Sequence, residues 1–103
     1  MLMQNAELQI TFELPDAPTM RQALRYESEQ DSRYNESLYE RLWAAACKSG
    51  LISAWQSEAL PDADASALDR DLSGPALDVL KWVSLAVFSY VQQAKADGAP
   101  KNS

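Results

Sequence analysis

Apolar and polar residues alternate strictly near the start of the chain, from Glu7 to Leu14. A repeat of two places alternate side chains on opposite faces of a strand, so one face is apolar. Pro15 ends the pattern, because proline cannot donate a backbone hydrogen bond to a neighbouring strand. We therefore predict a half-buried strand or extended arm over residues 7–14. Its apolar face consists of Leu8, Ile10, Phe12 and Leu14.

This strand has no obvious partner, because no other segment alternates as clearly. Buried backbone groups need hydrogen-bonding partners, so a lone strand is incomplete. Three arrangements meet this need. The segment packs over helices as an arm with water on its outer edge, pairs with a short strand at Leu51–Ala54, or pairs with another chain. In the last case the other chain is either a partner protein or a second copy.

Three later segments have the spacing of amphipathic helices, and we place them at residues 19–29, 34–49 and 74–95. Each start carries a residue whose side chain can cap free backbone N–H groups. The three predicted caps are Thr19, which forms a capping box with Gln22, then Asn35 and Ser73. Gly50 suits the position just after the second helix, and Pro75 suits the first turn of the third.

The third helix is apolar on more than one side. Such a helix is normally buried on most sides, which favours the centre of a compact bundle. The other interpretation is a docking patch, because large exposed apolar patches mark interaction sites and Trp and Tyr often dominate them. We centre this patch on Trp82, Leu85 and Tyr90, with Tyr39 and Trp43 of the second helix as a second pair. Each residue taken singly is more typical of a core.

These elements predict an all-α fold in a single domain, residues 1–103. It is a small bundle of three main helices with a short N-terminal strand or arm, and residues 97–103 form a frayed tail. The strand residues Leu8, Ile10 and Phe12 join the candidate protein-binding residues, because an unpaired strand can add to a partner.

The charge of the chain narrows the class of partner. It has 9 basic and 15 acidic residues, a net charge of −6. Binding to nucleic acid or to an anionic membrane needs a basic patch, and the trio Arg21, Arg25 and Arg33 is diluted by nearby acids. The one cysteine, Cys47, excludes an internal disulfide, and the first residues lack a signal-peptide pattern. The expected location is the cytoplasm.

Residue types also argue against catalysis and cofactors. The chain has no histidine, which removes the commonest general acid or base and the commonest metal ligand. Its three glycines are isolated, so no phosphate-binding loop exists. The segment from Asp62 resembles the start of a calcium loop, but Ala67 and Ser73 occupy the positions of the required glycine and glutamate. We expect no enzyme activity, no metal and no cofactor, and a buried, unreactive Cys47.

The order of short motifs resembles the small tail-assembly chaperones of long-tailed, siphovirus-like bacteriophages. A short strand precedes the phrase at residues 18–22 (PTMRQ), and a Leu-Trp-Ala-Ala helix begins at Leu42. A loop with Trp55 follows, and residues 73–77 (SGPAL) lead into a long apolar helix. The resemblance spans Leu8 to Gln93 and is one of layout, with no motif from which a site residue can be transferred.

The resemblance implies a cytoplasmic helper that coats the long, helical tape-measure protein during tail assembly and is absent from the finished particle. The alternatives are another small adaptor, an antitoxin, a secretion-type chaperone, or a structural component that self-associates through its strand and last helix. The excess of acidic residues argues against a nucleic-acid regulator that dimerises through the strand. The missing residue types argue against an enzyme.

Overall fold

The computed structural model describes residues 1–30 and 37–98. Within these ranges the chain forms an antiparallel sheet of three strands together with three α-helices. The all-α prediction is therefore wrong, and the fold is mixed α/β. The strands are β1 (Leu2–Asn5), β2 (Ile10–Glu13) and β3 (Ser53–Ser57); the helices are α1 (Met20–Glu29), α2 (Leu38–Lys48) and α3 (Pro75–Ala96), with a short 3₁₀ helix at Ala65–Asp69.

Of the predicted strand 7–14, residues 10–13 form β2, the second strand of a hairpin, and residues 7–9 lie in its turn. β1 pairs with β2 in antiparallel register, with Met3 opposite Phe12. Residues 6–9 form the turn, in which the Leu8 N–H donates to Asn5 Oδ1 at 3.1 Å. Leu8 therefore belongs to a turn, and the alternating pattern continued through that turn into β2.

β2 pairs on its other side with β3, where Thr11 lies opposite Gln56. The register shifts between Thr11 and Glu13, and Ala54 has a left-handed φ of 51°, as expected at a bulge. β2 is thus the central strand, flanked on both sides, so it is neither a lone arm nor open to another chain. Of the three arrangements predicted for this strand, pairing with a short strand at Leu51–Ala54 comes closest. The partner strand β3 begins two residues later, at Ser53.

Helices α1 and α2 begin with side-chain caps. The predicted capping box is confirmed: Thr19 Oγ1 accepts from the Gln22 N–H at 3.1 Å, and Gln22 Oε1 accepts from the Thr19 N–H at 2.9 Å. α2 is capped by Ser37, whose Oγ accepts from the Glu40 N–H at 3.1 Å. The predicted start at residue 34 and the predicted cap Asn35 lie outside the described residues. Gly50, with φ 79°, follows the end of α2 as predicted.

The start of α3 differs from the prediction at its cap. The N-cap is Gly74, with φ 62° and ψ −138°, and not Ser73. A residue with a side chain rarely adopts this backbone conformation, so the sharp entry into the helix requires glycine more than it requires a capping hydroxyl. Pro75 occupies the first turn as predicted, and α3 ends at Ala96 with Asp97 as its cap. Of the predicted frayed tail, residues 99–103 lie outside the described residues.

Aromatic rings join the sheet to the helices. Phe12 of β2 meets Trp82 of α3 edge-on, with ring centroids 6.1 Å apart, and Trp55 of β3 lies 5.8 Å away. Trp55 in turn meets Trp43 of α2 at 5.9 Å. α3 contributes a fully buried stripe with one residue per helical turn: Val79, Val83, Val87 and Val91. The core therefore lies between the inner face of the sheet, α2 and α3.

Among the described residues, no helix is both long enough and apolar enough to cross a membrane.

Candidate functional site

Three of the eight candidate binding residues are buried in the core. Ile10 is 1% exposed, and Phe12 and Trp43 are 0% exposed. The Trp43 Nε1–H also donates to the Asp64 carbonyl at 3.0 Å, so its polar atom holds the loop that precedes the 3₁₀ helix. These residues stabilise the fold and offer no surface to a partner.

The other five candidates lie at or near the surface but in separate places. Leu8 is half-buried in the β1–β2 turn, and Trp82 is half-buried against Phe12. Tyr39 lies at the start of α2, with Lys81 Nζ 5.5 Å from its ring centroid. Leu85 and Tyr90 are on α3, and Leu85 is 42% exposed. The structure does not gather the eight into one patch.

The exposed side of α3 is mainly polar: Asp78, Lys81, Ser89 and Gln92 are exposed, with Leu85 among them. The two apolar faces of the helix, by contrast, are buried or half-buried. The interpretation of α3 as a helix packed on most sides therefore describes it better than a broad exposed patch.

A groove of about 570 Å³ lies between β1 and the C-terminal half of α3, and we name it the β1–α3 groove. Its size is within the range of binding sites in proteins. One wall is formed by Met1 and Met3. The other wall is formed by small residues of α3, which leave room beside Tyr90. The lining residues are Met1, Met3, Asp16, Ala17, Ala86, Ser89, Tyr90, Gln93, Ala94 and Asp97.

Tyr90 belongs to the α3 wall of the β1–α3 groove and is held in place by a hydrogen bond. Its hydroxyl donates to the Pro15 carbonyl at 2.7 Å, which ties the segment after β2 to α3. Burial, followed by the nearby Asp16 carboxylate, raises the pKa of Tyr90 to about 12. The hydroxyl is therefore protonated at neutral pH and serves as a fixed donor. The groove consequently has a constant shape on this side.

The charged side chains that line the β1–α3 groove are both acidic. Asp16 is fully exposed, and its carboxylate lies 3.5 Å from the amino group of Met1. Asp97 Oδ1 accepts from Gln93 Nε2 at 3.0 Å. Among the described residues, no Lys or Arg side chain lies in the lining. Because the amino group of Met1 already faces Asp16, Asp97 is the acid better placed to attract a ligand that carries Lys or Arg.

A second groove, of about 450 Å³, lies between the starts of α2 and α3 and contains Tyr39. Its lining carries charges of both signs, from Glu40, Asp71, Arg70 and Lys81. Over the described residues these charges cancel, so the groove has no electrostatic preference. Each groove contains one of the eight candidate residues, Tyr39 here and Tyr90 in the β1–α3 groove, so the charge of the lining decides between them. We regard the β1–α3 groove as the stronger candidate site.

Of the three patch residues predicted on the last helix, Tyr90 lines the groove, whereas Trp82 and Leu85 do not. Met3 and the two alanines, Ala86 and Ala94, were not predicted. Met3 lies between Leu2 and Gln4 in a four-residue strand, which is too short to show alternation. Alanine indicates a groove only when the neighbouring wall is known, so the sequence held no signal for either position.

Cys47 and Asp64 have shifted pKa values, each with a local cause. Burial, and then the Asp64 carboxylate, raises the pKa of the Cys47 thiol, which outweighs the effect of Lys48 and keeps the thiol protonated. Hydrogen bonds from Ser66 lower the pKa of Asp64, whose Oδ1 accepts the Ser66 N–H at 2.8 Å as a helix cap. Among the described residues, no group of three acidic, histidine or cysteine side chains could hold a metal ion.

Comparisons with known proteins found no match: neither models of protein families, nor curated proteins, nor solved structures resemble this chain at a significant level.

Proposed function

We propose that this protein is a non-enzymatic binding protein that holds a segment of another protein in the β1–α3 groove. One observation supports this most directly: over the described residues the groove has a mainly apolar lining, and its charged side chains, Asp16 and Asp97, are acidic. The net charge of −6 also attracts segments that carry Lys or Arg, and it does so over a longer range than the two side chains. The bound segment is therefore apolar with flanking Lys or Arg.

The partner that we favour is a long helical protein of the tape-measure type. The layout of the chain resembles tail-assembly chaperones, and such a helper covers a partner in the host cytoplasm before assembly and is absent from the finished particle. An apolar groove is suited to shielding apolar segments from aggregation. We expect no binding to nucleic acid or membranes, and a gel shift at low salt would detect the former.

The test uses two variants that add the same charge to the same helix. Ala86→Arg places a bulky cation inside the groove, whereas Gln92→Arg places it on the exposed side of α3, outside the lining. The tagged chain is recovered from cells that contain its natural neighbours, and co-purifying proteins are identified by mass spectrometry. Thermal midpoints of both variants separate a loss of binding from a loss of fold.

We expect a long helical protein to accompany the wild-type chain and Gln92→Arg, and its recovery to fall about tenfold or more with Ala86→Arg, a change of about 1.4 kcal/mol. Equal recovery by both variants would contradict the groove as the binding site. A turnover activity that one carboxylate substitution abolishes would contradict the non-enzymatic class.

A small self-associating adaptor or structural component is the second candidate. It is favoured by the exposed apolar side chains Met20 and Leu24, which lie one helical turn apart on α1. Sedimentation of the purified chain distinguishes the two: a concentration-dependent oligomer that is lost with Leu24→Glu supports self-association. A chain retained in mature particles would also favour the structural role over the chaperone.

A further inference from the structure

The outer edge of β1 offers unpaired backbone groups beside the β1–α3 groove. Met1 and Leu14 exchange two hydrogen bonds: the Leu14 N–H donates to the Met1 carbonyl at 2.9 Å, and the Met1 nitrogen donates to the Leu14 carbonyl at 2.6 Å. Such pairs alternate along antiparallel strands, so Met3 and Asn5 also face β2. The N–H and C=O groups of Leu2 and Gln4 therefore point to the open edge.

This edge is open in the described part of the chain, where β1 has β2 as its one neighbour in the sheet. Leu2 is 62% exposed on the outer face, whereas Met3 is half-buried on the inner face, opposite the buried Phe12. The inner face of β1 is thus one wall of the groove, and Ala86, Tyr90 and Ala94 of α3 are the other.

A strand and a helix that face each other across an apolar groove, with the strand edge free, suit the addition of one extended segment. Such a segment would pair with Leu2 and Gln4 through its backbone, and every second side chain would enter the groove. A bound helix would instead cover the edge groups and leave them without partners, which is unfavourable when they lose water. Asp97 favours Lys or Arg on the segment, whereas the Asp16 carboxylate already lies 3.5 Å from the amino group of Met1.

Resting on the proposed function, we propose that the partner segment binds to the edge of β1 as an added β-strand. It is apolar at every second position, so that these side chains fill the β1–α3 groove. It carries Lys or Arg where it passes Asp97. In a partner that is otherwise helical, the bound segment is a non-helical stretch between or beyond the helices.

The probe is a library of random seven-residue peptides, selected on the wild-type chain and counter-selected on Ala86→Arg. Selected peptides are expected to alternate apolar with polar residues and to contain Lys or Arg. Each is then synthesised with single N-methyl groups, which remove one backbone donor at a time. We expect affinity to fall tenfold or more at alternate amides and to change less than threefold at the amides between them.

Gln4→Pro and Gln4→Ala form a matched pair on the protein. Proline removes the outward N–H of residue 4 and is tolerated on an edge strand where that group faces solvent, so the fold should persist. Alanine removes the same side chain and keeps the N–H. We expect the selected peptides to lose affinity tenfold or more with Gln4→Pro and to keep it with Gln4→Ala, while circular dichroism shows both variants folded.

The outcomes separate this inference from the proposed function. Peptides that require Ala86 but bind equally to Gln4→Pro and Gln4→Ala would overturn strand addition and leave the groove as a binding site. Selection of no peptide that depends on Ala86 would overturn both. A wild-type dimer that Gln4→Pro converts to monomer would show that a second copy occupies the edge, which overturns the assignment to another protein.

Discussion

The buried aromatic residues differ in whether their polar atoms have partners. Trp43 and Trp55 each donate an indole N–H to a backbone carbonyl, that of Asp64 at 3.0 Å and that of Leu60 at 2.7 Å. Tyr26 is fully buried, and its hydroxyl has no hydrogen-bond partner among the described residues. The two indoles therefore fasten loops to the core, whereas Tyr26 contributes mainly the apolar surface of its ring.

Phe12 was a candidate binding residue from its sequence pattern, and the structure places it in the core. Phe12→Ala is therefore expected to lower the free energy of unfolding by about 3–5 kcal/mol, because it leaves a cavity between the sheet, Trp55 and Trp82. Thr11→Ala, one residue away on the outer face, removes the hydroxyl that donates to Gln56 Oε1 at 3.4 Å and should lower it by about 1 kcal/mol or less. Urea unfolding measures both. A destabilisation of Phe12→Ala as small as that of Thr11→Ala would place the ring at the surface.

Tyr90 is expected to affect stability through its hydroxyl. Tyr90→Phe removes the hydrogen bond to the Pro15 carbonyl and should lower the free energy of unfolding by about 1 kcal/mol. Tyr39→Phe is the control, because the principal contact of Tyr39 is that of its ring with Lys81, which phenylalanine retains. Equal effects of the two substitutions in urea unfolding would contradict a structural role for the Tyr90 hydroxyl.

The raised pKa of Tyr90 also predicts a pH dependence. Below pH 10 the hydroxyl is protonated in both states; above the ordinary pKa of 10.0 the unfolded chain loses this proton first, whereas the folded chain keeps it until about 12. Stability should therefore fall between pH 10 and 12. Tyr90→Phe should show a shallower fall in this range than the wild type, and a parallel fall would contradict the assignment.

At the scale of elements, α1 and α3 begin with different kinds of N-cap: α1 has a side-chain capping box, and α3 has a glycine. Thr19→Ala removes one half of the capping box and should lower the free energy of unfolding by about 1 kcal/mol. Ser73→Ala should change it by less than about 0.5 kcal/mol, because Gly74 is the N-cap and α3 has no side-chain cap. If Ser73→Ala lowered the free energy of unfolding more than Thr19→Ala in urea unfolding, Ser73 would be the residue that caps α3, which would contradict this assignment.

The helices were predictable because local chemistry marks their ends. The capping box at Thr19, the glycine after α2 and Pro75 act within a few residues of themselves, so they are visible in sequence. The strand β1 was missed for the opposite reason, and β3 was offered only as one of three arrangements and with different bounds. β3 (Ser53–Ser57) has a single large apolar side chain, Trp55, and a bulge at Ala54, so its pairing with β2 depends on the tertiary fold.

At the scale of the molecule, the candidate site also depends on the tertiary fold and is therefore only partly visible in the sequence. The β1–α3 groove joins residues more than 80 positions apart, such as Met3 and Ala86. Tyr90 was predictable because large residues on an apolar helix are conspicuous in the sequence. The wall opposite it was not predictable, because β1 and its place beside α3 are set by the sheet. The acidic character of the groove, by contrast, agrees with the charge visible in the composition.

The methionines provide the most direct test that this groove binds a partner. The chain has three: Met1 and Met3 line the groove, whereas Met20 lies on α1, outside the lining. Methyl labelling of methionine gives each a separate NMR signal, recorded before and after addition of the recovered partner. We expect the signals of Met1 and Met3 to shift while that of Met20 stays in place. A shift of Met20 with no change at Met1 and Met3 would contradict the assignment of the groove.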